Sequence, residues 1–171
     1  MNQELTTKLF NKYPELFARH TDPKSDMSHG IFCDDGWYQL IETTCRTIQK
    51  YINTAHLFQS GRINMPESVA QIEFDSVKEK FGKLRFSVWE CPDPSILNMM
   101  QLIETLSGHV CEVTGNVGET YLIDGRQVKT LCKEEAEKRG AVLMEHSPFH
   151  DDYGLEALRL IAANPADYKK D

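Results

Sequence analysis

The sequence predicts an α+β fold: a small antiparallel sheet packed by two longer helices, with a cysteine-flanked hairpin and a C-terminal helix appended. Three observations carry this. Two stretches, around residues 37–52 and 96–106, place apolar side chains at helical spacing. Residues 70–90 alternate apolar and polar side chains with the two-residue period of a half-buried antiparallel pair. Between Cys111 and Cys132 the texture changes to short β-prone runs punctuated by Gly115, Gly118 and Gly125. At 171 residues the chain reads as a single domain over 1–171. Within it, the hairpin subregion covers about 109–135 and the helical appendage about 151–165. A chain of this length buries roughly 70% of its unfolded surface, enough for a core without staples.

Each element has a local reason. Leu5 and Leu9 sit one helical turn apart, so Gln3–Lys12 predicts a short helix, and Tyr13-Pro14 ends it because a residue before proline avoids the helical region. Residues 18–32 carry Asp22-Pro23, Ser25-Asp26 and His29-Gly30 and predict an irregular, exposed connection. Asp34 or Asp35 then offers a cap to the strongest helix, whose stripe is Trp37, Leu40, Ile41, Cys45, Ile48 and Ile52. Residues 54–68, with Gly61 and Pro66, predict a loop. Ala70–Lys80 and Lys83–Glu90 predict two strands of a hairpin, with Phe81-Gly82 at the turn.

Asp93-Pro94 pairs a cap with a proline in the first helical turn, and Ile96, Met99, Met100, Ile103 and Leu106 give the stripe of the second long helix. The methionines are expected to fill gaps in the core. Asp124-Gly125 between residues 119–123 and 127–131 predicts a second hairpin. Lys133–Arg139 predicts a short charged helix stopped by Gly140. A last helix is expected over Leu155–Ala163, with Leu155, Leu158 and Ile161 on one side and Pro165 after it.

The net charge is −7 and the pI about 5.4. This opposes non-specific nucleic-acid binding, which needs a basic face. No secretory leader and no apolar run near the ~20 residues of a membrane span is visible. The expected compartment is the cytoplasm. There Cys33, Cys45, Cys91, Cys111 and Cys132 read as core residues or metal ligands before disulfides.

Candidate sites follow from residue type and spacing. "CEVTGNVGE" from Cys111 and "KTLCKEE" around Cys132 have the layout of a small zinc ribbon, with glycines beside two knuckles about twenty residues apart. A structural zinc needs four Cys or His ligands, often two per knuckle. Here the second position of each knuckle is Thr114 and Glu135, so half the set is missing. His146 and His150 have the spacing to complete a Cys₂His₂ set, although Pro148 argues against a shared helical face. The other readings of Cys111 and Cys132 are a metal-free pair of buried thiols and a disulfide. His146, His150, Asp151 and Asp152 also suggest a metal cluster that activates water, while either aspartate serves as a helix cap.

Asp34-Asp35 could be an acid–base pair, and Cys33 or Cys45 a nucleophile given a nearby base, but capping and core packing explain them. Lys80, Lys83 and Arg85 surround Gly82 as a positive hairpin tip, either a solvated turn or a contact for an anionic ligand, an acidic protein or nucleic acid. Trp37 reads as a pocket wall or as core. The phosphate-loop, HExxH and GxSxG patterns do not occur.

Four segments together resemble a group of small proteins from bacteriophages and bacterial genomes. They are Pro14, Leu16 and Phe17; "DGWYQLI" over Asp35–Ile41; "KEKFGKLRF" over Lys78–Phe86; and the Cys111…"TLC" region. The resemblance spans roughly residues 8–135. It implies a Cys-x-x-Cys knuckle and a second ligand pair around zinc, which Thr114 and Glu135 interrupt here. It brings no established activity and implies a phage or prophage accessory protein. The expected function is therefore non-enzymatic: binding of a host or phage protein, such as a defence component, in the host cytoplasm. No cofactor is expected, zinc being the one candidate. The alternatives are a metal-dependent hydrolase using His146, His150, Asp151 and Asp152, and a nucleic-acid-binding module using the Lys80–Arg85 tip.

Overall fold

Two consecutive strands whose side chains alternate must close with a turn that matches their twist, and Phe81-Gly82 supplies it. Both residues have positive φ, 54° and 77°, the pairing that a two-residue hairpin favours. The computed structural model describes residues 1–58, 69–90 and 93–144. Strands β1 (Phe74–Lys80) and β2 (Lys83–Val88) pair antiparallel, with a register shift between Phe74 and Ser76. The helices are α1 (Gln3–Lys12), α2 (Tyr38–Phe58), α3 (Pro94–Ser107) and the short α4 (Lys133–Lys138). Strands β3 (Glu119–Ile123), β4 (Gln127–Leu131) and β5 (Val142–Leu143) form a second antiparallel sheet in the order β4-β3-β5. The fold is thus mixed α+β, as the periodicities predict.

The β1–β2 hairpin is closed on both edges. On the β2 side, α3 lends side chains in place of a strand: the Leu84 amide donates to Ser107 Oγ at 2.8 Å and the Phe86 amide to Glu104 Oε1 at 2.9 Å. Glu104 Oε2 also receives the Arg85 guanidinium at 2.9 Å. On the β1 side, residue 32 makes a parallel bridge, with Phe32 N–H to Val77 O at 3.0 Å and Glu79 N–H to Phe32 O at 2.7 Å. Further along, Phe74 N–H reaches Leu16 O at 2.7 Å. A two-stranded ribbon is marginal alone, and these borrowed partners satisfy its free amides.

The main core lies between α1, α2, α3 and the hairpin. Trp37, Ile41, Cys45 and Ile48 of the α2 segment are fully buried, as their stripe predicts. Phe10, Phe17, Phe74 and Phe86 form a chain of tilted rings with centroids 5.0–5.4 Å apart. A smaller core under the second sheet holds Cys111, Tyr121, Leu131, Cys132 and Ala136.

Several local expectations need correction. Residues 18–32 are irregular and largely exposed, as expected, but they also feed the core. Two 3₁₀ turns, Ala18–Thr21 and Asp26–His29, direct Met27 and Ile31 into the core. Ser25 Oγ accepts from the Met27 amide and donates to Asp75, a local pattern with no periodicity to reveal it. The first strand starts at Phe74 rather than Ala70, although Val69 and Ile72 are buried. Helix α2 runs to Phe58, past the expected start of the loop, and residues 59–68 lie outside the described residues. Leu106 does not join the buried face of α3; Ile96, Met100 and Ser107 do. The expected helix over Leu155–Ala163 lies outside the described residues. Among the described residues, no helix is long and apolar enough to cross a membrane.

Candidate functional site

The segment Asp34-Asp35-Gly36-Trp37 joins the two cores. Gly36 N–H donates to Glu112 O at 2.8 Å, and Trp37 Nε1–H to Val110 O at 2.7 Å. A Cβ on Gly36 would lie 2.4 Å from Cys111 O and 2.5 Å from Gly115 N, so only glycine lets the 111–115 turn approach this closely. Neither aspartate acts as the expected cap. Asp34 occupies the cap position without a side-chain bond to the helix, and its carboxylate lies 3.6 Å from Lys129 Nζ. Asp35 accepts from the amide and side chain of Asn2, both at 2.7 Å. The acid–base reading of this pair gives way to a tether between termini of elements.

Beside this seam lies an ion pair that the sequence does not announce. Glu112 is fully buried, and Lys129 Nζ meets its two carboxylate oxygens at 2.9 and 2.8 Å. The Asp34 amide donates to the same carboxylate at 3.1 Å. Burial opposes the Lys129 charge, but the Glu112 carboxylate more than offsets this and holds its pKa above the ordinary lysine value.

The structure brings Cys111 and Cys132 together, both as free thiols. Thr114 Oγ1 donates to Cys132 Sγ at 3.7 Å. Burial pushes the Cys111 thiol up, but hydrogen bonds from the Thr114 hydroxyl and from the amides of Cys132, Thr114 and Val113 outweigh it and leave its pKa lowered. Cys132 moves the other way: burial raises it, the Glu134 carboxylate and the Cys111 sulfur add to this, and the Glu135 amide opposes.

Among the described residues, the donors at the thiol pair fill only half of the zinc site that the resemblance implies. The Thr114 hydroxyl is turned to the sulfurs as a hydrogen-bond donor. The Glu135 carboxylate is taken by Lys138 Nζ at 2.6 Å and Arg139 at 3.2 Å. Two thiols remain where a structural zinc requires four ligands. His146 and His150, and with them Asp151 and Asp152, lie outside the described residues. Among the described residues no group of three or more His, Cys, Asp or Glu side chains gathers as a metal site.

The positive hairpin tip is also corrected. Lys83 is only 5% exposed, and Arg85 is half-buried against Glu104. The reason is that the tip docks on β4: Thr130 Oγ1 donates to Gly82 O at 2.6 Å, and Val128 Cγ1 lies 3.3 Å from where a Gly82 Cβ would be. Of the three basic residues only Lys80 stays at the surface. Trp37 is core rather than pocket wall, being fully buried and bonded to Val110. Cys33 is buried too, its thiol pushed up to about 12 mainly by burial, and Cys45 is raised for the same reason. Neither has the activated character of a nucleophile.

An exposed aromatic on the opposite register is better placed for contact. Trp89 is 60% exposed, yet it is not loose. Its amide donates to Glu73 O at 3.0 Å, and the Arg19 guanidinium lies 3.8 Å from the ring centroid. Arg19 is itself fixed by Asp22 at 2.8 Å and Asp75 at 3.3 Å. In the strand period Trp89 alternates with Leu84, Phe86 and Val88, on the face of Arg85 and Ser87, but Arg19 lies too far along the chain to suggest the pairing. No family model, curated protein or solved structure matches the chain.

Proposed function

We propose that the protein acts by binding another protein, with Trp89 at the centre of the contact. The observation that carries this is a large aromatic presented to solvent on a bracket of ion-paired arginine. Tryptophan and arginine dominate binding energetics at interfaces, and an anchor already held in place loses little side-chain freedom on association. The net charge of the chain, −7, favours a basic partner. The resemblance to phage-borne proteins extends the proposal to an accessory factor acting on a host protein such as a defence component.

The test is affinity capture from host lysate with wild-type protein and with Trp89→Ala, followed by titration of the purified partner. Loss of this anchor should weaken binding at least tenfold, about 1.4 kcal/mol or more, with an unchanged fold by circular dichroism. Equal affinity of the two proteins for the captured partner would refute this surface. Turnover of a substrate that is lost on His150→Ala would replace the reading with an enzymatic one.

A further inference from the structure

We propose that the exposed leucine face of α3 is the docking site of residues 155–163 of the same chain. Helix α3 carries a single charged residue, Glu104, and that one is bound to β2 through the Arg85 guanidinium and the Phe86 amide. The outward side holds Leu97 at 43% exposure, Leu102 at 60% and Leu106 at 44%, with Asn98 and Gln101 between them. A helix at the surface normally turns charged residues to water. On a chain that is 26% charged, an uncharged strip with three exposed leucines reads as the inner side of a contact.

Three observations point to the occupant. In residues 155–163 only Glu156 and Arg159 are charged, and Leu155, Leu158 and Ile161 recur at helical spacing. Such a stripe needs apolar cover, as the α3 face does. The lengths also agree: nine residues wound as a helix extend ~13 Å, which is the span from Leu97 to Leu106 along α3. The third observation is connectivity. The described chain leaves from β5, where the Met144 amide donates to Thr120 O at 3.0 Å. Two residues before Thr120, Gly118 N–H donates to His109 O at 2.9 Å, just past the C-terminal end of α3. Residues 145–154 can span up to ~33 Å, longer than the ~21 Å of α3, so the whole leucine face lies within reach.

A second copy of the chain fits this face less well. The strip is ~21 Å long and ~10 Å wide, roughly a quarter of the ~800 Å² per partner in a standard interface. Each copy also brings a net charge of −7. A tethered segment needs no such area, because its linker holds it at an effective concentration of about 1 mM. The contact uses none of the residues around Trp89, so each reading can fail alone.

The experiment places a photoreactive benzophenone side chain at position 102 of the full chain and maps the cross-linked digest by mass spectrometry. Position 102 is at the surface, so the probe leaves the core intact. The expected result is a cross-link to a peptide within 155–163, at monomer mass and independent of protein concentration. Leu158→Asp combined with Ile161→Asp should lower its yield at least tenfold and raise the fluorescence of an apolar dye several-fold. Absence of the cross-link, or an unchanged yield in the double variant, would overturn the proposal. So would a cross-link to a second copy at dimer mass or, in lysate, to another protein in place of the segment.

Discussion

Replacing Gly36 by alanine adds one methyl group at the tightest glycine contact among the described residues. The new carbon would sit 2.4 Å from Cys111 O, 2.5 Å from Gly115 N and 2.6 Å from Glu112 O. All three are backbone atoms, so no side chain can swing aside. The 111–115 turn must retreat by about 1 Å to reach ordinary contact distance. Overpacking of this kind costs about 1–3 kcal/mol. The retreat also stretches Gly36 N–H to Glu112 O and Trp37 Nε1–H to Val110 O, and losing one such bond adds about 1 kcal/mol.

The sum, about 2–4 kcal/mol, corresponds to a drop in Tm of about 5–15 °C for a chain of this size. Thermal unfolding followed by calorimetry reads it directly. The control is Gly125→Ala, where φ is +66° and nothing lies within 4 Å of the added carbon. That site carries only backbone strain, about 1 kcal/mol. A Gly36→Ala protein melting within 2 °C of wild type, or below Gly125→Ala in cost, would refute the view that close contact rather than conformation selects glycine at 36.

Two further outcomes are expected. Lys129→Met should destabilise by about 3–5 kcal/mol in urea unfolding, because it strands the buried Glu112 charge. The double variant with Glu112→Gln should recover most of this, and equal instability of single and double variants would count against the pairing. Glu42 receives Lys12 and Tyr13 at 2.7 Å each, and the Lys12 bond in the first place holds its carboxyl below the usual range. Its folded pKa therefore lies under the unfolded value of about 4.3, so its contribution is complete above that pH and is lost as pH falls through the folded value. Glu42→Gln should show a shallower acid-side decline of Tm than wild type below about pH 4.5. An unchanged slope would assign the acid sensitivity elsewhere.

Periodicity revealed the elements that bury one face. The α2 stripe, the Phe81-Gly82 turn of the first hairpin, the Asp93 cap with Pro94 after it, and the Asp124-Gly125 turn all stand where their patterns put them, while the first strand starts four residues later than expected. What stayed hidden depends on side chains meeting across long stretches of chain. Lys83 looks like a free charge at a turn until β4 is laid over the tip. Glu104 and Ser107 look like helix-surface residues until they serve as edge acceptors for β2. Met27 and Ile31 are buried by 3₁₀ turns that have no repeating pattern. At the thiol pair, the ribbon-like layout suggested Cys111 and Cys132 as neighbours, but the donor role of Thr114 and the capture of Glu135 by Lys138 required the fold.

The chain contains two tryptophans, and their surroundings are opposite. Trp37 is sealed in the core beside the seam, while Trp89 faces water with a cation against its ring. Their emission therefore separates without any label: iodide should quench the red-shifted indole and leave the blue-shifted one bright. An associating molecule that covers residue 89 alters one component, and loosening at the Gly36 junction alters the other. Ordinary fluorescence can thus distinguish recognition from unfolding in the native polypeptide.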